Sequence, residues 1–180
     1  MITAGQARAY FDYNPGTGML LWKSRPLSIF ASPAAGKSWN TRHAGKAAGS
    51  VFKQKGKYTG YRHVRVCGRN YRVHYIVWLI YHGRAPEGVI DHVDGDGTNN
   101  KIANLRDATW SENSKNARIS LRNTSGICGV RYYPPTRKWA ANITSDGERV
   151  FLGYHSTIFE AACVRRSAEM GMGFTDRHGM

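Results

Sequence analysis

Between Val89 and Asn116, VIDHVDGDGTNNKIANLRDATWSENSKN, a chain of formal charge +14 gathers five acids (Asp91, Asp94, Asp96, Asp107, Glu112), one histidine (His92) and five asparagines. A strongly basic protein places carboxylates where phosphates lie only when a cation sits between them. These side-chain types suit phosphodiester hydrolysis. An imidazole with an ordinary pKa near ~6.5 takes a proton from water at neutral pH. One carboxylate and one carboxamide offer a hard divalent cation oxygen donors and leave positions for waters and substrate phosphates. Asp91, His92 and Asn113 have side chains of these types. A calcium loop fails on spacing: counted from Asp94, the sixth position is Asn99 rather than Gly and the twelfth is Leu105 rather than Glu. Asp94, Asp96, Asn99 and Asn100, set among glycines, read as loop formers.

The elements that must position them follow from local grammar. Val89–Val93 reads as a strand, Gly95-Asp96-Gly97 as a turn and Ala103–Ala108 as the returning segment. Thr109-Trp110-Ser111-Glu112 has capping-box spacing, so a helix starts at Thr109, with Asn113 and Asn116 on one face. A hairpin followed by that helix brings Asp91, His92 and Asn113 to one point. Upstream, His74–Gly83 is an apolar run closed by Gly with Pro86 beyond, which reads as a helix. Its His74 reads as a structural histidine docking that helix against the hairpin–helix unit, with a catalytic role as the weaker alternative. Tyr61–Cys67 alternates, with Val64 and Val66 on one face. Gly68-Arg69-Asn70 reads as a turn and Tyr71–Val73 as the return. This hairpin presents Arg65, Arg69 and Arg72 to a nucleic-acid groove, with Arg62 a weaker candidate on the valine side. At the start, Thr3 caps a helix over Ala4–Phe11, closed by Asn14-Pro15-Gly16, and Met19–Lys23 reads as a strand. Arg25–Gly49 lacks periodicity and reads as a long loop. Its Lys37, Arg42, His43 and Lys46 either track a phosphate backbone or are simply solvated.

The 89–116 stretch resembles the HNH endonuclease motif of phage and homing nucleases, with its ββα-metal fold. The matching residues are Asp91-His92, Asn104-Leu105-Arg106, and Asn113 with Asn116 on the helix; the third letter is Asn rather than His. The resemblance implies that Asp91 and Asn113 ligate one Mg2+, or another divalent cation such as Mn2+. It makes His92 the general base and Asn104 the residue holding the loop that orients His92.

Beyond a polar linker, Arg118–Ser125, comes a strand at Gly129–Tyr133, a turn at Pro134–Arg137 and a strand at Lys138–Thr144. A turn at Asp146-Gly147, a strand at Arg149–Tyr154 and a capped helix from Thr157 to about Met170 complete it. Three antiparallel strands crossed by one helix make a complete small layer. Gly129-Val130-Arg131, Lys138-Trp139-Ala140-Ala141, Leu152-Gly153-Tyr154 and Glu160-Ala161-Ala162 resemble the Apetala2/ERF DNA-binding domain. That family lays its sheet in the major groove, which would aim Arg131, Tyr133, Asn142, Thr144 and Arg149 at DNA. Trp139 and Phe151 either lie at the phosphates or pack inside.

Charge agrees with a nucleic-acid partner. Residues 13–86 hold thirteen Lys or Arg and no acid; residues 1–120 carry a net +11 and residues 121–180 a net +3. Cys67, Cys128 and Cys163 are odd in number and widely spaced, which disfavours disulfides and structural zinc and makes buried free thiols the expectation. No apolar run reaches spanning length, so the expectation is a soluble cytoplasmic protein, in a bacterial host if phage-encoded. The reading is a two-domain α+β protein. Residues 1–120 form a basic HNH nuclease domain with a ββα-metal core at about 88–118, and residues 121–180 form a three-stranded antiparallel sheet with one helix. The expected activity is metal-dependent DNA endonuclease, homing-type, on double-stranded DNA. No protein partner is implied, and the chain acts as monomer or homodimer. The competing readings are a DNA-binding transcriptional regulator with a degenerate nuclease half, and an RNA-binding module using the aromatic sheet.

Overall fold

The computed structural model describes residues 1–51, 60–120 and 122–179. Residues 52–59, ahead of the expected hairpin, Leu121 of the expected linker and Met180 lie outside them. The chain forms two compact units, Met1–Asp107 and Ala108–Met180, each taken by itself below.

In the first unit, Thr3 opens α1 (Ala4–Tyr10) with a reciprocal capping box to Gln6. The helix stops at Tyr10 rather than Phe11 because Phe11 begins β1 (Phe11–Asn14), which pairs antiparallel with β2 (Met19–Trp22). Asn14-Pro15-Gly16 therefore turns a hairpin rather than closing a helix. The stretch expected as a loop from Arg25 to Gly49 contains a 3-10 turn at Leu27–Ile29 and α2 (Pro33–His43), N-capped by Ser32 with Pro33 in its first turn. This helix has no apolar stripe. It is fixed instead by Trp39, whose ring meets Trp22 at 5.4 Å and Phe30 at 5.9 Å, with the Arg25 guanidinium 4.1 Å from its centroid.

The strands β3 (Ser50–Val51), β4 (Arg62–Val66) and β5 (Arg69–Arg72) form an antiparallel sheet in the order β3-β4-β5. The β4–β5 turn is Cys67-Gly68, both at positive φ (50° and 73°), one residue earlier than expected. Such a two-residue turn matches the twist of the flanking strands. α3 (Val73–His82) follows directly and buries Val73, His74, Ile76, Val77, Trp78 and Leu79 in a core shared with Phe11, Leu20, Val64, Val66 and Leu105. It ends at Gly83, as expected. β6 (Val89–His92) then pairs with β7 (Leu105–Ala108), across a loop closed by a 3-10 turn at Ile102–Asn104.

The second unit opens with α4 (Trp110–Lys115), begun by the Thr109–Glu112 capping box. β8 (Val130–Tyr133), β9 (Lys138–Ser145) and β10 (Glu148–His155) form an antiparallel sheet with β9 central. α5 (Ile158–Gly171), capped by Thr157 and Glu160, packs Ala161 and Ile158 against Val130, Trp139, Ala141 and Leu152. Trp139 thus packs inside rather than at a ligand face. All three cysteines are free as expected, but Cys67, in a tight turn, and Cys163, on the outer side of α5, are exposed and Cys128 is half-buried. Among the described residues no helix is long and apolar enough to cross a membrane.

Candidate active site and nucleic-acid face

Asp91 and His92 end β6, and both are buried. The Arg106 side chain on β7 donates from Nε and from Nη2 to Asp91 Oδ2 at 2.9 and 2.8 Å, a charge-assisted pair on a carboxylate only 8% exposed. His92 Nε2 lies 3.3 Å from Asn100 Oδ1. Asn100 Nδ2 donates to the Thr98 carbonyl, which fixes the amide so that its oxygen faces the imidazole. Nε2 therefore carries the proton and Nδ1 the lone pair. Burial pushes the His92 pKa below its ordinary value, against the smaller upward pull of Asn100, Asp94 and Asp91, so the ring is neutral at pH 7.

Asn104 clamps the loop between the two strands. Its Oδ1 accepts the Asp94 N–H, and its Nδ2 donates to Asp94 Oδ1 and to the Asn99 carbonyl, all at 2.9 Å. Burial raises the Asp94 pKa, but hydrogen bonds from Asn99, the Asp96 N–H and Asn104 outweigh it and hold the carboxyl below its usual range. Asp94 and Asn99 are thus loop formers, tied to one another at 2.6 Å. Asn100 is more than that. It is 2% exposed, and its carbonyl accepts from Tyr13 Oη at 3.0 Å. From sequence Asn100 reads only as a loop former and Arg106 only as part of the motif match, since each acquires its role at the site through partners brought close by the fold.

Against this pair stands His74. Its ring lies 5.0 Å from His92 and 5.2 Å, edge-on, from Tyr61, and burial first, then His92, lowers its pKa to about 3. Its Nδ1 is buried without a hydrogen-bond partner among the described residues. A neutral, enclosed ring of this kind docks α3 against β6. Asn113 lies half-buried on α4 in the second unit, while Asn116 ends that helix, buried, and accepts from Thr175 Oγ1 at 3.1 Å. Among the described residues no three His, Cys, Asp or Glu side chains are grouped to hold a metal.

The basic hairpin divides its arginines. In the observed register Arg65 faces Asn70 and Arg72 faces His63, so Arg65 and Arg72 share one face; Arg69 faces Val66 and falls on the other. The ribbon of three expected from a longer turn is therefore split. Arg72 lies over the Tyr61 ring at 4.4 Å, and Arg62 donates to the Gly49 carbonyl at 3.2 Å.

In the second unit, strand pairing sets Arg131 and Tyr154 beside Ala140, Tyr133 beside Lys138, Phe151 beside Asn142 and Arg149 beside Thr144. Paired residues point the same way. Arg131, Tyr133, Asn142, Thr144 and Arg149 consequently share the sheet face opposite α5, and Phe151 joins them, 54% exposed.

The HNH endonuclease family model matches residues 71–115, a stretch running from β5 through α3, β6 and β7 to α4. Protein 3.8 of Escherichia phage T7 is 37% identical over 79 residues, which is 43% of this chain. The chain spans 65% of the length of that curated relative. No solved structure matches.

Proposed function

We propose that this chain is a metal-dependent DNA endonuclease that hydrolyses phosphodiester bonds, of homing type and phage-associated. The observation that supports it is the buried Asp91–His92 pair at the end of β6, inside the stretch matched by the HNH endonuclease model. On this reading residues 88–118 are a ββα-metal core in a nuclease domain spanning 1–120, and residues 121–180 are an Apetala2/ERF-like DNA-binding domain. His92 Nδ1 takes the proton of the attacking water, and Asn100 holds the ring in the tautomer this requires. Asn104 keeps the loop that carries Asn100 closed.

Asp91 and Asn113 would hold Mg2+ or another divalent cation such as Mn2+. Their chemistry fits, because both offer oxygen, and a carboxylate has about four lone-pair sites, so an ion pair at Oδ2 does not preclude coordination. When bound, the cation supplies charge stabilisation at the phosphate and at the leaving oxygen. Arg62, Arg65, Arg69 and Arg72 grip the backbone of double-stranded DNA, and the sheet face from Arg131 to Arg149 lies in a groove. A monomer with one such site nicks one strand; a homodimer cuts both.

Plasmid nicking with and without magnesium tests the reading. Asp91→Ala and His92→Ala are each expected to lower cleavage at least ~100-fold with DNA binding retained. Variants as active as the parent refute the assignment. One observation favours the competing regulator with a degenerate nuclease half: Asp91 already has a counter-ion in Arg106. Supercoiled plasmid left intact under every divalent metal and salt condition, with DNA still bound, would refute the enzyme reading.

A further inference from the structure

The sheet face of the second unit carries a cluster of three rings, of which the duplex reading assigns a groove contact only to Tyr133. Tyr133 and Tyr154 sit on the two outer strands, yet their centroids are 5.3 Å apart and their planes 27° from parallel. They approach across β9 because the residue between the outer strands there is Ala140, too small to part them. Phe151 stands edge-on to Tyr154 at 5.0 Å. Phe151 and Tyr154 remain 54% and 43% exposed. The same face carries Arg131, Lys138 and Arg149 and, among its paired residues, no carboxylate, since Glu148 pairs with Ser145 on the opposite side. A groove of about 790 Å³ lies alongside, lined by Arg122, Arg131, Asn142 and Arg149 among others.

We infer that this face binds single-stranded DNA, with successive unstacked bases on Tyr133, Tyr154 and Phe151 and the phosphates along Arg131, Arg149 and Arg122. Inside a duplex the flat faces of the bases are covered by their neighbours, and only edges and the thymine methyl reach a groove. Exposed rings find a π-partner on nucleic acid only where bases are unpaired, and such stacking is indifferent to base identity. The positive side chains of this face, with no carboxylate among its paired residues, meet a phosphate chain rather than an apolar partner. The inference rests on the proposed function in one respect, that DNA is what the chain acts on. A strand end or gap left by cleavage is then retained by the same molecule.

The test uses the full chain in EDTA, where cleavage does not occur. Fluorescence anisotropy follows a labelled thymidine oligonucleotide of about twelve nucleotides, within the span such sites cover. A duplex and an RNA oligonucleotide of that length are run beside it. Tyr154→Ala is expected to weaken single-strand binding about tenfold and to leave duplex binding unchanged, with Tyr154→Phe like the parent; Phe151→Ala is expected to weaken single-strand binding by a similar factor and duplex binding by less. Equal losses on duplex and single strand, no loss, or tighter binding of RNA overturn the inference. Photo-cross-linking of the unaltered chain to a bromodeoxyuridine oligonucleotide covers the case in which a ring variant misfolds. The adduct is expected on Tyr133, Phe151 or Tyr154, and one mapped elsewhere overturns the inference. Failure of plasmid nicking with single-strand binding intact removes the endonuclease reading alone.

Discussion

Replacing His74 by Phe tests how the wall beside His92 is built. His74 is enclosed by Tyr61 and His92, with an Nδ1 that has no hydrogen-bond partner among the described residues and a pKa lowered from 6.5 to about 3. Because the folded state holds the proton less well than the unfolded state, the unfolded chain binds more protons between those values. Stability is therefore full above pH 6.5 and declines as the pH falls toward 3. At pH 5 the loss from His74 alone is about 2 kcal/mol relative to pH 8, or roughly 10 °C in melting temperature for a unit of this size. His92, also lowered by burial, adds in the same sense and is common to both proteins. His74→Phe keeps the ring and removes both the titration and the unpaired nitrogen. Thermal melts of parent and variant at pH 8 and pH 5 isolate the term, since other titrating groups cancel in the difference of differences. The variant is expected to match or exceed the parent at pH 8 and to lose about 2 kcal/mol less on acidification. If the two proteins lose stability in parallel, His74 is not held neutral by its surroundings and the enclosed-ring account is wrong.

Other substitutions probe neighbouring contacts. Arg106→Ala removes two charge-assisted hydrogen bonds to a buried carboxylate and is expected to cost about 2–3 kcal/mol in denaturant unfolding. Adding Asp91→Asn should restore much of it, and a cost of the single change near zero would contradict the burial of the pair. Asn104→Ala removes three loop-closing bonds. It should speed amide exchange at Asp94 while leaving exchange in α3 as it was. Gly129→Ala is expected to destabilise the second unit by more than about 2 kcal/mol. The residue sits at φ +72°, and an added Cβ would meet the Asn142 carbonyl and the buried Arg165 side chain. A melting temperature equal to the parent's would show that the loop can shift.

Features with a short-range cause were legible in the sequence. Each of the capping boxes at Thr3, Thr109 and Thr157 is written in four consecutive residues, and each opens a helix. The strand–turn–strand–turn–strand–helix order after residue 129 follows turn chemistry at Pro134–Arg137 and Asp146-Gly147. Features decided by distant partners were not. α2 lacks an apolar stripe and stands through Trp39 against Trp22 and Phe30, so periodicity read it as loop, although Ser32-Pro33 is an N-terminal helix signal. The β4–β5 turn moved by one residue because Cys67 accepts a left-handed backbone. That single step moved Arg69 to the valine face. Asn100 looked like turn chemistry, and only the fold sets it against His92.

The helix carrying Asn113 has a consequence for dissecting this protein. α4 is fastened to the C-terminal sheet: Asp146, at the β9–β10 turn, accepts from Ser111 Oγ at 2.6 Å and pairs with Lys115, contacts that lower its pKa to about 2. From the chain's far end, Thr175 donates to the Lys115 carbonyl and Gly179 to that of Ala117. A scissile point chosen by motif, at residue 120, would leave the last segment of the nuclease match severed from everything that steadies it. Helix and sheet are thus not interchangeable cassettes. Deletion mutants lacking the C-terminus would leave α4 without its scaffolding, and domain-swap chimaeras must carry residues 108–179 as one inheritance.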